Sequence, residues 1–304
     1  MGGTGRGEKN RFGTSLAVTE SKEVYGWGNS MYGALGVNAS IVSTPVRVAT
    51  GISTAVQVAG GSKSGSDDYH VNSIGNTGYT YILKEDGTVS SLGYNVNGEL
   101  GNGAKASTTA VQKVSNLTEI MQVAGSKNGN FGAAVKEDGT VWTWGNNTNG
   151  QLGNNSTENS SSPVQVKSAD GNSFLADIVQ ISAGYVHSMA LKKDGTVLAW
   201  GRNDGGQLGN NNTSNKSLPV QVKGGASGSE YLTDVVQVTA GNWHSMALKA
   251  NGTVYAWGWG QYGQLGNGYT TNSDDTDKYS YEKIYSAPVQ VLNGCLLYTS
   301  PSPR

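Results

Sequence analysis

The chain has 304 residues, of which 36% are hydrophobic and 14% charged, and it contains 45 glycines. Its formal net charge of -1 provides no basic excess to hold a phosphate backbone or an anionic membrane surface, so nucleic acid is not an expected partner. No apolar run approaches the roughly 20 residues that span a bilayer, and residues 1–10 lack the apolar core of a secretory signal. The composition favours a β-rich globular protein without membrane insertion.

Five copies of one phrase follow one another along the chain, each headed by an anchor residue. Glycine follows the anchor at positions +1, +6 and +9, and leucine follows at +8. The distance between anchors ranges from 52 residues (144 − 92) to 65 residues (92 − 27), which indicates a repeat protein with large units. The anchors are Trp27, Leu92, Trp144, Trp200 and Trp257.

Each unit contains the signals of four short strands. An Asp-Gly or Asn-Gly pair, such as Asp194-Gly195, separates two apolar runs and predicts a tight hairpin, because glycine reaches positive φ freely. The flanking runs HSMALK and TVLAW are too short and too rich in β-branched and aromatic residues for helices. VVQVTAG or IVQISAG precedes them as a first strand, and PVQV follows as a fourth, with proline tolerated at its start.

A single four-stranded sheet cannot bury both faces, whereas sheets repeated around an axis cover one another, as in a β-propeller. The pattern AGxxHSxALKxDGTVxxWGxNxxGQLG is nearly complete at residues 183–209 and 240–266. It resembles the repeat of the regulator of chromosome condensation (RCC1) family over residues 12–294. The resemblance implies a seven-bladed propeller, so five anchors predict an all-β chain with about five four-stranded blades of an incomplete ring.

The segments outside the repeat region are short. Residues 1–11 are expected to be a partial lead-in, and residues 295–304, which include the single cysteine Cys295, resemble a translated sequencing adapter and not a native tail. The Asn-, Ser-, Thr- and Gly-rich loops resemble those of bacterial family members. Two cellular locations are therefore considered. An export signal in a longer gene would indicate a bacterial cell surface, and otherwise the cytoplasm is expected.

The histidines do not suggest catalysis. His187 and His244 occupy a repeat position that holds Thr14, Tyr79 and Phe131 in the other units. A proton-transfer group would not recur once per blade, so we interpret both as packed, hydrogen-bonded core residues.

No catalytic, cofactor-binding or metal-binding residue is predicted. The glycine-rich phrases lack the Lys-Ser/Thr of a phosphate-binding loop, and the aspartates of the hairpins serve their own turns. The five anchors are expected to be buried between blades. Trp142, Trp243 and Trp259 lie outside the repeated register and are candidates for exposed contacts.

Two long inserts interrupt the repeats. One lies at residues 61–77, between the first and second strands of unit two, and the other lies around residues 269–283, between the third and fourth strands of unit five. In an antiparallel meander both connections leave the same side, which we call the insert face. The shorter extensions at 168–176 and 224–232 leave the opposite side, the turn face. The candidate partner-binding residues are Asp67, Asp68, Tyr69, His70, Tyr279 and Tyr281.

The expected function is a protein-binding scaffold without enzymatic activity, because function on rigid scaffolds concentrates in loops. One alternative is an enzyme inhibitor similar to the β-lactamase-inhibitory propeller. The resemblance also implies guanine-nucleotide exchange as an option, and a propeller lyase or hydrolase remains a further one. An open ring would in addition expose strand edges that favour self-association.

Overall fold

A computed structural model describes residues 13–63, 77–225, 230–268 and 284–292. These residues form an all-β structure with one short 3-10 turn, Met31–Gly33. No helix in the described ranges is long and apolar enough to cross a membrane.

The strands form five antiparallel sheets in chain order. The first sheet has three strands, β1 (Thr14–Val18), β2 (Val24–Asn29) and β3 (Ile41–Val48). The second has β4 (Ala55–Lys63), β5 (Thr77–Lys84), β6 (Val89–Gly93) and β7 (Thr108–Lys113). The third has β8 (Ile120–Gly125), β9 (Phe131–Lys136), β10 (Val141–Gly145) and β11 (Ser160–Gln165). The fourth has β12 (Ile178–Ala183), β13 (His187–Lys192), β14 (Val197–Gly201) and β15 (Lys216–Gln221). The fifth has β16 (Val235–Ala240), β17 (His244–Lys249), β18 (Val254–Trp259) and β19 (Ile284–Gln290).

Each sheet is a meander in which consecutive strands pair, and the main contacts between sheets join neighbours in the chain. The sheets are therefore the blades of a propeller, and the ring that the described residues form is not closed. This confirms the all-β propeller class. The first blade has three described strands, which correspond to the second, third and fourth strands of the other blades.

The Asp-Gly-Thr hairpins owe their geometry to side-chain hydrogen bonds. Asp86 Oδ1 accepts hydrogen bonds from the backbone N of Thr88 at 2.9 Å and from its hydroxyl at 2.6 Å, and Gly87 has a φ of 69°. The two bonds from Thr88 favour the ionised carboxylate and lower the pKa of Asp86. Asp138 and Thr140 repeat this arrangement. The turn prediction from sequence therefore rests on a local interaction.

The tryptophan anchors join neighbouring blades. Trp200 is fully buried, and its indole Nε1 donates a hydrogen bond to the carbonyl of Gln151 in the preceding blade at 2.9 Å. Gly153 of that blade has a φ of 66°, and a Cβ there would lie 2.7 Å from the same indole nitrogen. The glycine at +9 therefore leaves the space that the next anchor fills. Trp144 and Trp257 are equally buried, and Leu92 is buried at the equivalent position of the second blade.

Trp27 is a correction to the expectation that all five anchors are buried. It has the same register in β2, yet it remains 36% exposed. The later anchors are covered by the glycine-rich segment of the preceding blade, and no described blade precedes the first sheet. Burial of an anchor therefore depends on its neighbour and not on its own unit.

Glutamines of the first strands form a second link between blades. Gln122 in β8 pairs with Ile181 in β12: Ile181 N donates to Gln122 Oε1 at 2.8 Å, and Gln122 Nε2 donates to Ile181 O at 3.2 Å. The amide of Gln122 thus makes the two hydrogen bonds that a neighbouring strand would otherwise make to the buried backbone of Ile181. The equivalent links join Gln57 to Val123 and Gln180 to Val238.

A β-bulge precedes each of these glutamines. The register shifts between Ile120 and Gln122 in β8, and at the same place in β4, β12 and β16. Such a bulge turns the extra side chain away from its sheet. The four bulge residues are apolar and between 41% and 54% exposed: Val56, Met121, Val179 and Val236.

Glu99 is a buried carboxyl at the position where the next three units have glutamine. Its Oε2 accepts a hydrogen bond from Asn97 N at 2.8 Å, as Gln151 Oε1 accepts one from Asn149 N at 2.9 Å. Burial raises the pKa of Glu99. The folded state therefore binds this proton more tightly than the unfolded state, and stability falls as pH rises through the interval between the two pKa values.

Glu99→Gln is expected to raise the stability at pH 7, because the amide oxygen keeps the hydrogen bond from Asn97 N and the loss of the bond from Asn97 Nδ2 is outweighed by removal of a buried charge. The gain should vanish below about pH 3, where the carboxyl is protonated in both states. Thermal unfolding across this pH range measures the effect. Glu158→Gln makes the same chemical change at an exposed position and serves as the control. A gain for Glu99→Gln of equal size at both pH values would contradict the explanation.

Candidate functional site

The order of strands places the bases of both long inserts on the insert face. Lys63 at the end of β4 pairs with Thr77 at the start of β5, below the first insert. Trp259 at the end of β18 pairs with Ile284 at the start of β19, below the second. These strand ends lie on the same side of their meanders. The candidate residues Asp67, Asp68, Tyr69, His70, Tyr279 and Tyr281 lie outside the described residues.

Three aromatic side chains meet on the insert face where the fourth and fifth blades adjoin. Trp243, between β16 and β17, has its ring centroid 5.3 Å from that of Tyr185, between β12 and β13. The ring centroid of Trp259 lies 5.7 Å from that of Trp243, and both contacts are edge-to-face. All three side chains are partly buried. We call Tyr185, Trp243 and Trp259 the aromatic cluster.

Arg202 brings a positive charge to the aromatic cluster. Its guanidinium carbon lies 4.4 Å from the ring centroid of Trp243, within the range of a cation–π interaction. Arg202 Nε also donates hydrogen bonds to both carboxylate oxygens of Asp204 at 2.8 Å. An exposed ion pair of this kind adds little to stability, but it fixes the orientation of the guanidinium beside the aromatic rings.

Two buried donors at the cluster, one of them in Trp259 itself, have no acceptor among the described residues. In the third blade, Gln151 Nε2 donates to Asn146 Oδ1 at 2.7 Å. Arg202 takes the place of Asn146 in the fourth blade, and Nε2 of the buried Gln207 has no hydrogen-bond partner among the described residues. The indole Nε1 of Trp259 is also shielded from solvent without a partner in the described ranges. The fourth blade therefore lacks an acceptor that the third blade has.

His187 is a packed core residue, as expected. Its Nε2 lies 3.0 Å from Ser245 Oγ, which donates its own hydrogen to Gln207 O at 2.8 Å, so Nε2 donates to the serine. Burial lowers the pKa of His187 to about 3, with smaller effects of His244 and Lys127. The imidazole is therefore neutral at pH 7, and its Nδ1 has no partner within the described part of the chain.

The three tryptophans outside the register separate in the structure. Trp243 and Trp259 join the aromatic cluster, whereas Trp142 lies in its own hairpin, where Nε1 donates to Thr140 Oγ1 at 3.4 Å. All three are partly buried, so the expectation of exposed side chains holds only in part. Among the described residues, no group of three or more His, Cys, Asp or Glu could hold a metal ion.

Sequence reasoning did not identify Tyr185, Arg202 or Asp204, because it concentrated on fixed repeat positions. The position two residues after each anchor was a usable signal, since it varies between units while the glycine before it does not. Its occupants are Asn29, Tyr94, Asn146, Arg202 and Trp259. Further aromatic residues extend the same face, with Tyr32 and Tyr94 in edge contact at 5.1 Å and Tyr262 78% exposed.

Comparison with curated proteins identifies relatives of the chain. It is 30% identical over 302 residues to the ultraviolet-B receptor UVR8 of Arabidopsis thaliana, a match that covers 95% of the chain and 62% of UVR8. It is also 30% identical over 265 residues to the human E3 ubiquitin-protein ligase HERC2, covering 86% of the chain and 5% of HERC2. The chain therefore spans less than two thirds of these relatives.

Solved structures share the fold. Prp20p of Saccharomyces cerevisiae superimposes with a TM-score of 0.69 at 23% identity, over 92% of the chain and 61% of Prp20p. Human WBSCR16 gives a TM-score of 0.68 at 23% identity, over 92% of the chain and 65% of WBSCR16. The sequence model of the RCC1-like domain matches residues 12–294, which contain all the described sheets. The chain therefore belongs to the RCC1-like domain family.

Proposed function

We propose that this chain is a protein-binding scaffold that contacts its partner through the insert face. The observation that carries the proposal is the aromatic cluster with Arg202 stacked on Trp243. Trp, Tyr and Arg are the residues most enriched at the energetic centres of protein interfaces. A partly buried Trp between two other rings offers a rigid surface that loses little conformational entropy on binding.

The aromatic cluster and the two inserts belong to the same face of the propeller, so both can contribute to one binding surface. Trp259 belongs to the cluster and also pairs with Ile284, where the second insert returns to the sheet. Asp67, Asp68, Tyr69, His70, Tyr279 and Tyr281 belong to the two inserts, and we keep them as candidate contacts around the cluster. A central hot spot surrounded by further, weaker contacts is a common arrangement of binding surfaces.

Relatives give further support to a protein partner. Prp20p is described with its binding to Gsp1p and histones, and the same yeast protein has been solved bound to Kap60. HERC2 carries the name of an E3 ubiquitin-protein ligase. We propose a binding role and no catalysis for the present chain, since the fully buried His187 is packed in the core and bonded to Ser245 of the next blade.

Trp243→Ala tests the proposal. Affinity capture with the immobilised chain, followed by quantitative mass spectrometry, should yield a partner that the wild type retains and Trp243→Ala loses by about tenfold or more, the effect of a hot-spot residue. Trp142→Ala is the matched control, because Trp142 is also partly buried but lies in the hairpin of the third blade. Circular dichroism should show both variants folded.

Deletion of the inserts provides a second measurement. A chain in which short turns replace residues 64–76 and 270–283 should lose affinity for the captured partner. A partner that binds Trp243→Ala and the doubly shortened chain as tightly as the wild type would contradict use of the insert face.

A further inference from the structure

The junction of the fourth and fifth blades contains donors that have no acceptor within the described part of the chain. Gly205 lies between the two side chains concerned: a Cβ on it would be 3.1 Å from Gln207 Oε1 and 3.8 Å from Trp259 Cβ. Gln207 Oε1 already accepts a hydrogen bond from Gly205 N at 2.8 Å, which leaves Nε2 as the free end of the amide. Gln207 Nε2 and Trp259 Nε1 are thus two N–H groups at this junction that have no acceptor among the described residues.

The third blade shows that the missing acceptor of Gln207 comes from a substitution and not from the fold. There the same glutamine position has both ends of its amide satisfied, Oε1 by Asn149 N and Nε2 by Asn146 Oδ1. In the fourth blade Arg202 replaces the asparagine acceptor with another donor. Buried donors without acceptors are uncommon in proteins, and each calls for an oxygen atom from elsewhere.

The positive charge of Arg202 determines which kind of ligand can supply the acceptor oxygen. Arg202 is a permanent cation, so it excludes a cationic ligand and favours an anionic one. Its present counter-ion is Asp204, whose side chain is 52% exposed, while that of Arg202 is 29% exposed. The guanidinium therefore reaches solvent and can exchange one carboxylate for another. A planar carboxylate has enough acceptor sites for a guanidinium and for neighbouring N–H groups at once.

We propose that Arg202, Gln207 and Trp259 form a binding site for a carboxylate, supplied by an aspartate or glutamate side chain of the partner protein. The inference rests on the proposed function, because it names the chemistry that the partner presents to the insert face. The partner carboxylate replaces Asp204 on Arg202 and accepts hydrogen bonds from the amide of Gln207 and the indole of Trp259. The ring of Trp243, which Tyr185 contacts in turn, holds the guanidinium in place.

The indole N–H of Trp259 is the reporter for this site. The chain has seven tryptophans, so a spectrum of the 15N-labelled protein shows seven indole signals at most, and Trp259→Phe identifies the one required. The probes are the peptide acetyl-GDEDG-amide and its uncharged counterpart acetyl-GNQNG-amide. Titration with the acidic peptide should shift the Trp259 signal saturably, and the amide peptide should leave it in place.

Two variants that introduce residues of the third blade have opposite expected effects. Arg202→Asn restores the acceptor found at Asn146 and removes the cation, so binding of the acidic peptide should weaken by about tenfold or more. Asp204→Thr introduces the residue found at Thr148 and removes the competing carboxylate, so binding should tighten several-fold. Both substitutions place a residue that the fold already accommodates at that repeat position.

The outcomes separate this inference from the proposed function. A shift of the Trp259 signal that is equal for both peptides, or that persists in Arg202→Asn, would overturn the carboxylate site. So would the absence of a saturable shift in Asp204→Thr at millimolar peptide. If the captured partner still depends on Trp243 in that case, the insert face stands and only the carboxylate chemistry is wrong. The site is supported if high salt abolishes the shift of the Trp259 signal and if the acidic peptide binds most tightly to Asp204→Thr, less tightly to the wild type and least tightly to Arg202→Asn.

Discussion

Replacement of Trp200 by alanine should lower the free energy of unfolding by about 3–5 kcal/mol, the usual cost of removing a large buried aromatic side chain. The indole fills the space above Gly153 and donates a hydrogen bond to the carbonyl of Gln151, so the substitution creates a cavity and also removes that bond. Urea unfolding followed by circular dichroism measures the loss. Because each blade contacts mainly its neighbours, hydrogen exchange should accelerate most in the third and fourth blades.

Trp27→Ala is the matched control for this prediction. Trp27 has the same register within its blade, but it is 36% exposed and has no described blade above it. Its replacement should cost clearly less than that of Trp200. Equal losses for the two variants would show that the anchors stabilise their own sheets, and the account of the tryptophans as joints between blades would then be wrong.

The features that the sequence predicted well are those determined within one unit. Asp86 and Thr88 form their turn with hydrogen bonds between residues two positions apart. Every copy of the phrase therefore contains all the residues that the turn needs. The same holds for the order of the four strands, because short connections leave a meander as the simplest arrangement. The packing of His187 followed from its position in the repeat, although its bond to Ser245 joins two blades.

The features that the sequence did not predict depend on contacts between units. The exposure of Trp27 depends on the blade that would cover it, and the burial of Trp243 depends on Tyr185 from a different blade. The glutamine links could have been found, because glutamine recurs in the first strand of four units as AVQV, IMQV, IVQI and VVQV. A polar residue at a fixed position beside apolar neighbours indicates a satisfied hydrogen bond, although its partner lies about 58 residues away.

These glutamines have a structural role that the tryptophans cannot fill. The first strand of a blade pairs with the second strand on one edge only, so its other edge presents backbone groups without a strand partner. Gln122 satisfies both the N–H and the carbonyl of Ile181, a residue that is almost fully buried. The side-chain amide thus takes the place of a strand partner for Ile181 at this edge of the next blade.

Gln122→Ala should therefore destabilise the protein by about 1–3 kcal/mol, the cost of leaving buried backbone groups without hydrogen bonds. Gln180→Ala should have a similar effect, because it removes the equivalent link to Val238. Gln237→Ala is the control: Gln237 has the same register in β16, but its exposed side chain makes no hydrogen bond within the described ranges. Urea unfolding of the three variants gives the comparison.

A loss of stability in Gln237→Ala as large as that in Gln122→Ala would mean that the glutamines stabilise their own strands, and the bridging bonds would then contribute nothing measurable. If the links do carry the energy, the double variant of Gln122 and Gln180 should lose more than either single variant, since each amide closes a different pair of blades.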